Sequence, residues 1–471
     1  MRLYRARIVL YSPHKSLRSG LRFMGENLTL LTDLYQLTMA QAYFQSRRAG
    51  AATFSLFVRT YPQNRSYFVS AGLQDVLTYL SELHFDDTDI DYLRSKRLFA
   101  DDFLEFLQTV RFTGEVWAIP EGRLFFRDEP VLEITAPIIE AQLVETFIIN
   151  QVQLQSLIAT KAARCVHAAQ GRSVVDFSLR RTHGSDAGLK VARASYLAGF
   201  NGTSNVLAGQ RYDLPIVGTM AHSFISSHEQ EIDAFRSYVK SFPHNSILLI
   251  DTYDTLAGAR KAVTVAKEMA ARGEKLLGVR IDSGDLLPLA REVRGILDEA
   301  GLMDVKITGS GGLDEYDLSD FSRAGAAFDS YGVGTKMGTS ADAPWCDMAY
   351  KLVEYGNRSV VKMSPGKRSW PGKKQVFRCL DKEGKLLGDV IGMRDDVFAD
   401  AEPLLKNVMA RGEITAPLPS LGATRELFLQ EFACLPQPIR AIRKPETYPV
   451  EFSPRLQALR AEVERDVLGK R

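Results

Sequence analysis

Carboxylates, guanidiniums, a histidine and clusters of glycine recur just after short apolar runs in this chain. Together those residue types can handle a phosphorylated small molecule. His222 lies in Gly218-Thr219-Met220-Ala221-His222-Ser223-Phe224, past a short apolar stretch. Neutral imidazole can serve as nucleophile or general base near neutral pH; the competing reading is a structural histidine with satisfied hydrogen bonds. Phe177-Ser-Leu-Arg180-Arg181-Thr-His183-Gly184 sets an aromatic ring beside two guanidiniums. Arginine binds phosphate or carboxylate bidentately, and an aromatic face stacks on a planar ring or cation. The plainer alternative is a core ring next to solvated arginines. Gly184-Ser-Asp-Ala-Gly188 then opens a helix, which favours an anion at that point.

Asp251, Asp254, Asp282 and Asp285 follow two neighbouring apolar runs. Such carboxylates can hold a sugar diol or a largely hydrated Mg²⁺, or they can cap the helices that follow, a role that suits Asp254 and Asp285. Arg280 and Asp282 are separated by one residue, so in a strand they point to the same side. Gly309-Ser310-Gly311-Gly312 and Gly332-Val333-Gly334-Thr335 read as phosphate cradles, because glycine lets backbone N–H groups approach oxygen closely. Each is a weak pattern alone. On the last two strands of a barrel, where phosphate commonly binds, they carry more weight.

The elements that must position these residues are legible as a rhythm. The apolar runs Ile247–Ile250, Leu276–Ile281, Val305–Ile307 and Phe328–Tyr331 each end in a polar, Gly- or Asp-rich cluster followed by a helical stretch. Their spacing, roughly 25–30 residues, is that of a strand–helix unit. Val174–Phe177 and Ile216–Val217 read as further strands, with helices predicted over Asp186–Gly199 and Glu229–Val239. Parallel strands joined by helical crossovers bring all their C-terminal loops to one end of the sheet, where ligands bind. The expected fold is therefore an α/β barrel, complete or incomplete, over residues 151–345.

Residues 28–150 mix strands and helices without that rhythm and predict an α+β domain, with a long helix over Ile139–Cys165. The segment 346–471 reads as strands returning to that first domain, ending in a surface helix of alternating Arg and Glu over about Ser453–Val467. Residues 1–27 form a basic extension. Arg2, Arg5, Arg7, Lys15, Arg18 and Arg22 meet no acidic residue before Met24, an alternative start. The stretch lacks the continuous apolar region of a signal peptide and reads as a flexible leader.

Composition narrows the function classes. The 471 residues are 45% hydrophobic and 25% charged, as in ordinary globular proteins. A formal net charge of +2 makes no general case for a nucleic-acid or membrane partner, and no apolar run approaches the roughly 18 residues of a membrane span. Cys165, Cys346, Cys379 and Cys434 show no ligand spacing, which suits a cytoplasmic protein without structural zinc or disulfides.

Taken as a set, these segments resemble the nicotinate phosphoribosyltransferase family from about residue 28 to 456. The resemblance is carried by Leu31-Thr-Asp-Leu-Tyr35-Gln-Leu-Thr-Met39, Phe177–Gly184, Gly218–Phe224, Leu249-Ile-Asp-Thr-Tyr-Asp254, Gly278-Val-Arg-Ile-Asp-Ser-Gly-Asp285 and Ser330–Thr335. It implies a type II phosphoribosyltransferase fold: an incomplete α/β barrel with an α+β domain, dimeric, with active sites completed across the interface. It implies that nicotinate, 5-phosphoribosyl 1-diphosphate and ATP are substrates, with Mg²⁺ as cofactor. Tyr35, Thr219 and Arg280 would contact nicotinate, and Thr335, beside Gly311, Gly312, Gly332 and Gly334, the phosphoribosyl group. His222 would be phosphorylated by ATP. From related amide-using enzymes, Phe177 would stack on the pyridine, Arg180 would bind phosphate, and Asp251 and Asp282 would face ribose or Mg²⁺. Those amide-using relatives carry Asp where Ser204 stands here. An Asp would repel the carboxylate of nicotinate and Ser does not, so the resemblance favours the acid over the amide. A nicotinamide-using enzyme and a catalytically silent homologue are the alternatives.

Overall fold

The short apolar runs after residue 172 are too brief to stand alone and pair with one another in parallel. Ser173–Asp176, Ile247–Leu249, Gly278–Ile281, Lys306–Gly309 and Ser330–Val333 form one five-stranded sheet. Its spatial order runs from Ser173–Asp176 through Ser330–Val333, Lys306–Gly309 and Gly278–Ile281 to Ile247–Leu249. Single parallel bridges from Asp176 to Thr203 and from Thr203 to Ile216 extend the sheet beyond its first edge. Among the described residues no ladder joins Ile216 to Ile247–Leu249, so the barrel is incomplete. The computed structural model describes residues 27–364 and 369–469. Residues 1–26 of the basic leader lie outside them, as do Pro365, Gly366, Lys367 and Arg368.

A seven-stranded sheet covers the other half of the molecule. The strand Ala51–Val58 sits within it, flanked by Leu132–Pro137 and by Met348–Tyr355, both antiparallel. Lys406–Ala410 pairs with Glu115–Ala118 at the far side, so chain from beyond the barrel closes on the early strands. Burial along Ala51–Val58 is continuous after its first residue, as expected of a strand with both faces covered.

Several expected boundaries shift by one or two residues, and Ile216–Val217 is reduced to a single bridge; two differences have a clear physical reason. The predicted Ile139–Cys165 helix is two helices, Ile138–Leu143 and Glu145–Ala168, which meet at Val144. The Leu143 carbonyl accepts a hydrogen bond from Thr32 Oγ1 at 3.1 Å, outside the helical ladder. The second helix links the two cores: Phe147, Ile148 and Val152 belong to the sheet domain, whereas Ala159, Ala162 and Cys165 lie under the barrel. The last barrel strand is Ser330–Val333, not Phe328–Tyr331. Gly332 is thus a strand residue. A Cβ there would lie 2.4 Å from the Phe177 ring, so the missing side chain makes room for that ring. Among the described residues no helix is long and apolar enough to cross a membrane.

Candidate active site

The C-terminal ends of the parallel strands bring the carboxylates and the histidine together. Asp251 follows Ile247–Leu249 and is almost fully buried. Its Oδ2 accepts hydrogen bonds from the Asp282 backbone N–H at 2.9 Å and the Ser283 hydroxyl at 2.6 Å. One carboxylate thereby ties two neighbouring strand ends. Its other oxygen, Oδ1, is buried and unpartnered. A buried acceptor without a donor is costly in an isolated protein and marks where a ligand or cation belongs. The Asp282 carboxylate accepts from the Ser310 hydroxyl, which fixes it against the next strand end. Among the described residues no cluster of three or more His, Cys, Asp and Glu side chains forms a metal cage. Two carboxylates with one orphaned oxygen instead suit a Mg²⁺ that keeps waters and substrate phosphates as its other ligands.

His222 starts the short helix His222–Ser226 at the same mouth. Its Nδ1 lies 3.1 Å from Thr252 Oγ1, and its Nε2 lies 3.8 Å from Asp282 Oδ2. One ring nitrogen is therefore oriented by a hydroxyl while the other faces the carboxylate cluster. A satisfied core histidine would be buried on all sides; the His222 side chain is 43% exposed.

Arg280 and Phe177 form the next layer. Arg280 donates to the Met220 carbonyl at 3.0 Å, and its guanidinium carbon lies 5.9 Å from the centroid of the Phe177 ring. Burial pushes the guanidinium below the usual arginine range, against the pull of Asp282 and Asp251, and nearby Arg180 adds to the depression. Its Nε is buried without a partner. A desolvated guanidinium with a spare donor beside an aromatic face is suited to a planar ring that carries a carboxylate. Ser204 is adjacent: its N–H donates at 2.8 Å to the carbonyl of Asp176, the residue before Phe177. Arg180 lies exposed in the 3₁₀ turn Leu179–Arg181, shortly after Phe177 in the chain. Thr219 is half-buried beside Met220.

The glycines divide by role. A Cβ on Gly311 would sit 1.8 Å from the Asp282 carbonyl oxygen, and its φ of 97° is in the left-handed region. Gly311 and Gly332 are thus explained by close packing. Gly312 has no neighbour within 4 Å of a Cβ position, and Gly334 would meet only the Phe177 carbonyl, at 3.1 Å. These two, with Thr335 exposed at the start of the Thr335–Gly338 turn, leave backbone open to a ligand. Asp254 caps the Thr255–Ala270 helix, accepting from the Ala257 N–H at 2.7 Å, so its alternative reading as a cap holds. Asp285 occupies the equivalent position before Leu286–Glu299 without a side-chain capping bond.

Tyr35 stands apart. It lies on the Leu34–Gln45 helix, which packs against Ile138–Leu143, and is 48% exposed beside equally exposed Leu31 and Leu34. Sequence reasoning missed Thr252, Ser283 and Ser310, the hydroxyls that orient His222, Asp251 and Asp282. It also missed Asp176, whose buried carboxylate accepts from the Ser178 N–H and hydroxyl and from the Thr203 hydroxyl. Single hydroxyls carry no pattern; their one available signal was position next to an already chosen carboxylate.

An incomplete parallel barrel with carboxylates, a histidine and open glycine backbone at its mouth defines an enzyme acting on a phosphorylated small molecule. Three family models match: the nicotinate phosphoribosyltransferase N-terminal domain over residues 30–153, the nicotinate phosphoribosyltransferase family over 172–353, and its C-terminal domain over 397–460. The chain is 47% identical over 429 residues to nicotinate phosphoribosyltransferase pncB2 of Mycobacterium tuberculosis, covering 91% of this chain and 92% of that protein. It is 34% identical to the Bacillus subtilis nicotinate phosphoribosyltransferase, covering 92% and 94%. The crystal structure of human nicotinic acid phosphoribosyltransferase superposes with a TM-score of 0.83 at 30% identity, covering 92% of this chain and 99% of that one. The chain belongs to the nicotinate phosphoribosyltransferase family.

Proposed function

We propose that this protein is an ATP-coupled enzyme that joins nicotinate to 5-phosphoribosyl 1-diphosphate, the entry of nicotinate into NAD synthesis. The products are nicotinate mononucleotide, diphosphate, ADP and phosphate. The observation that carries this reading is the Arg280 guanidinium over the Phe177 ring, beside the Asp251–Asp282 pair and His222. The pyridine ring stacks on Phe177 with its carboxylate towards Arg280 and Thr219. Its ring nitrogen attacks the anomeric carbon as the C–O bond to diphosphate breaks. Positive charge that builds on the ribose is stabilised by the nearby carboxylates. Asp251 and Asp282 would hold Mg²⁺, which when bound neutralises the departing diphosphate. Arg180, Gly312, Gly334 and Thr335 take the phosphate oxygens.

His222 takes the γ-phosphoryl group of ATP. With Nδ1–H donating to Thr252, Nε2 carries the lone pair that attacks phosphorus, and ADP leaves. Water later cleaves the phosphohistidine. A dimer in which Tyr35 reaches the neighbouring subunit's mouth accounts for the exposed Leu31–Leu34–Tyr35 patch. The reaction belongs to the cytoplasm, and its coupling to ATP places it among ligases.

The deciding assay combines purified protein with labelled nicotinate, phosphoribosyl diphosphate and Mg²⁺, with and without ATP. Labelled mononucleotide is expected, with ADP formed alongside; nicotinamide in place of nicotinate should be poorly used. No product from either base would leave the silent-homologue reading. His222→Ala should lose turnover-linked ATP hydrolysis yet keep some ATP-independent product. Normal coupling in that variant would remove His222 from its role.

A further inference from the structure

The two glycine-rich loops are tied together from beneath by a buried ionic cluster that the reaction itself does not use. Glu315, which opens the helix just past Gly312, is fully buried, and so is Arg164, whose Nε lies 3.0 Å from it. Asp342, which follows the Thr335–Gly338 turn, pairs with Arg65 at 3.1 Å. Lys161 lies between them. Its ammonium is 2.5 Å from Glu315 and 2.7 Å from Asp342, with its side chain only 1% exposed. It alone in this cluster pairs with a carboxylate behind each loop. Burial works against the ammonium, but the two carboxylates outweigh it and hold the lysine charged. Arg65, Lys161 and Arg164 thus share Glu315 and Asp342, with Lys161 bridging the two carboxylates. A second tie joins the same loops at the surface: Lys336, next to Thr335, lies 3.1 Å from Asp314 and 3.3 Å from Asp317 with 43% of its side chain exposed.

We propose that Lys161 is a positioning residue that sets the separation of the two glycine-rich loops and thereby the affinity for the sugar diphosphate, with no effect on the base. This rests on the reading of those loops as phosphate-binding. The physical reason is that a buried ion pair with one member removed leaves an uncompensated charge and a movable backbone, whereas an exposed pair contributes little. Lys161 and Glu315 sit in packed helices that cannot shift freely. The loops run straight into these anchors: Glu315 opens the helix just past Gly312, and Asp342 follows the Thr335–Gly338 turn, so a change in the ion pairs is passed to the loop backbone.

The test compares Lys161→Met, the double variant Lys161→Met/Asp342→Asn and Lys336→Met with wild type. The double variant removes one charge of each sign, so it keeps the cluster's net charge; Arg65, which loses its carboxylate, keeps its hydrogen bonds to the Leu157 carbonyl and the Ser340 hydroxyl. Melting temperature, KM for each substrate, and calorimetric binding of phosphoribosyl diphosphate are measured. Expected for the folded double variant is about a tenfold rise in KM and Kd for phosphoribosyl diphosphate, with KM for nicotinate within about twofold of wild type. Lys336→Met should change both by less than the double variant does. A well-folded double variant with unchanged affinity for the sugar diphosphate, or with equal loss for both substrates, overturns the proposal. Gly334→Val separates the underlying reading. If it folds and binds phosphoribosyl diphosphate as wild type does, the loops are not phosphate loops at all; if it loses that ligand while the double variant does not, only the role of Lys161 falls.

Discussion

The two sides of the barrel mouth are built by different means. On the side of the glycine-rich loops, backbone presses on backbone: Gly311 lies against the Asp282 carbonyl, and a buried ionic cluster sits behind both loops. On the side of Arg280 and Phe177, side chains do the work. There one guanidinium and one ring meet, Arg280 keeps an unpartnered Nε, and Ser204 and Thr219 are only half-buried. Tyr35, implied for that side, lies on another domain with its ring largely exposed. The difference teaches that one half of the site is built by contacts within the chain, while the other leaves polar groups without a partner. Substitutions should therefore act through geometry on the first side and through chemistry on the second.

The largest effect is expected at Gly311. A side chain there requires a left-handed backbone and would overlap the Asp282 carbonyl oxygen, 1.8 Å from the Cβ position. Gly311→Val should move the Asp282 segment, destabilise the fold by about 3 kcal/mol or more, and reduce kcat by at least about a hundredfold. Gly312→Ala is the control. It shares a positive φ of 73° but meets no atom within 4 Å, so it should cost only about 1 kcal/mol of strain. Melting curves and turnover of the two variants decide it; equal behaviour would mean the close approach to Asp282 does not matter.

On the other side, Arg280→Ala removes a charge-assisted contact worth about 1.5–3 kcal/mol, so kcat/KM for nicotinate should fall roughly ten- to two-hundredfold with little change in melting temperature. The same variant sharpens the contrast between the two halves. Mixing Tyr35→Ala subunits with Arg280→Ala subunits should raise activity above that of either variant alone, because each mixed dimer would hold one site with both residues. Full exchange of subunits without that rise would place Tyr35 outside the partner's site.

How much was legible follows the same division. The parallel barrel could be read because each of its sheet strands ends in, or runs directly on towards, an Asp or Gly, and that punctuation survives in a single sequence. Its last strand was misplaced by two residues because a glycine inside an apolar run reads as a break. Gly332 is there for the Phe177 ring, a partner distant in sequence. The carboxylates were legible, but not the hydroxyls of Thr252, Ser283 and Ser310 that aim the histidine and the carboxylates. Lys161 was invisible for a sharper reason. It lies in a helix that is buried along most of its length, and only the fold brings Glu315 and Asp342 to it. Tyr35 had no local signal and rested on the resemblance alone.

The buried cluster also has a pH signature. Burial would raise the Asp342 carboxyl, but Arg65 and Lys161 outweigh it and hold it at about 2, below its ordinary 3.8. A carboxyl depressed on folding stabilises the protein fully above the unfolded value and loses that contribution as pH falls towards the folded value. At neutral pH the contribution is about 2 kcal/mol. Asp342→Asn should lower stability by that order near pH 7 and flatten its fall between about pH 4 and 2. Denaturant unfolding at a series of pH values measures both; parallel curves for wild type and variant would show that the pairs contribute nothing.

The smallest expected effect is one of selectivity. Ser204 is held beside the ring site by its N–H bond to the Asp176 carbonyl, one residue before Phe177, and the Asp176 carboxylate is locked by Ser178 and Thr203. Its backbone position should therefore survive a change of side chain, and the side chain is half-exposed, so Ser204→Asp should fold normally. A carboxylate at that point repels the carboxylate of nicotinate and accepts a hydrogen bond from the carboxamide of nicotinamide. The ratio of kcat/KM for nicotinate to that for nicotinamide should fall about tenfold, equivalent to ~1.4 kcal/mol, and more at low salt than at high. Arg280 would still favour the acid, so a complete reversal is not expected. If the ratio stays at its wild-type value in a folded variant, residue 204 does not face the carboxyl group, and the base lies on Phe177 the other way round.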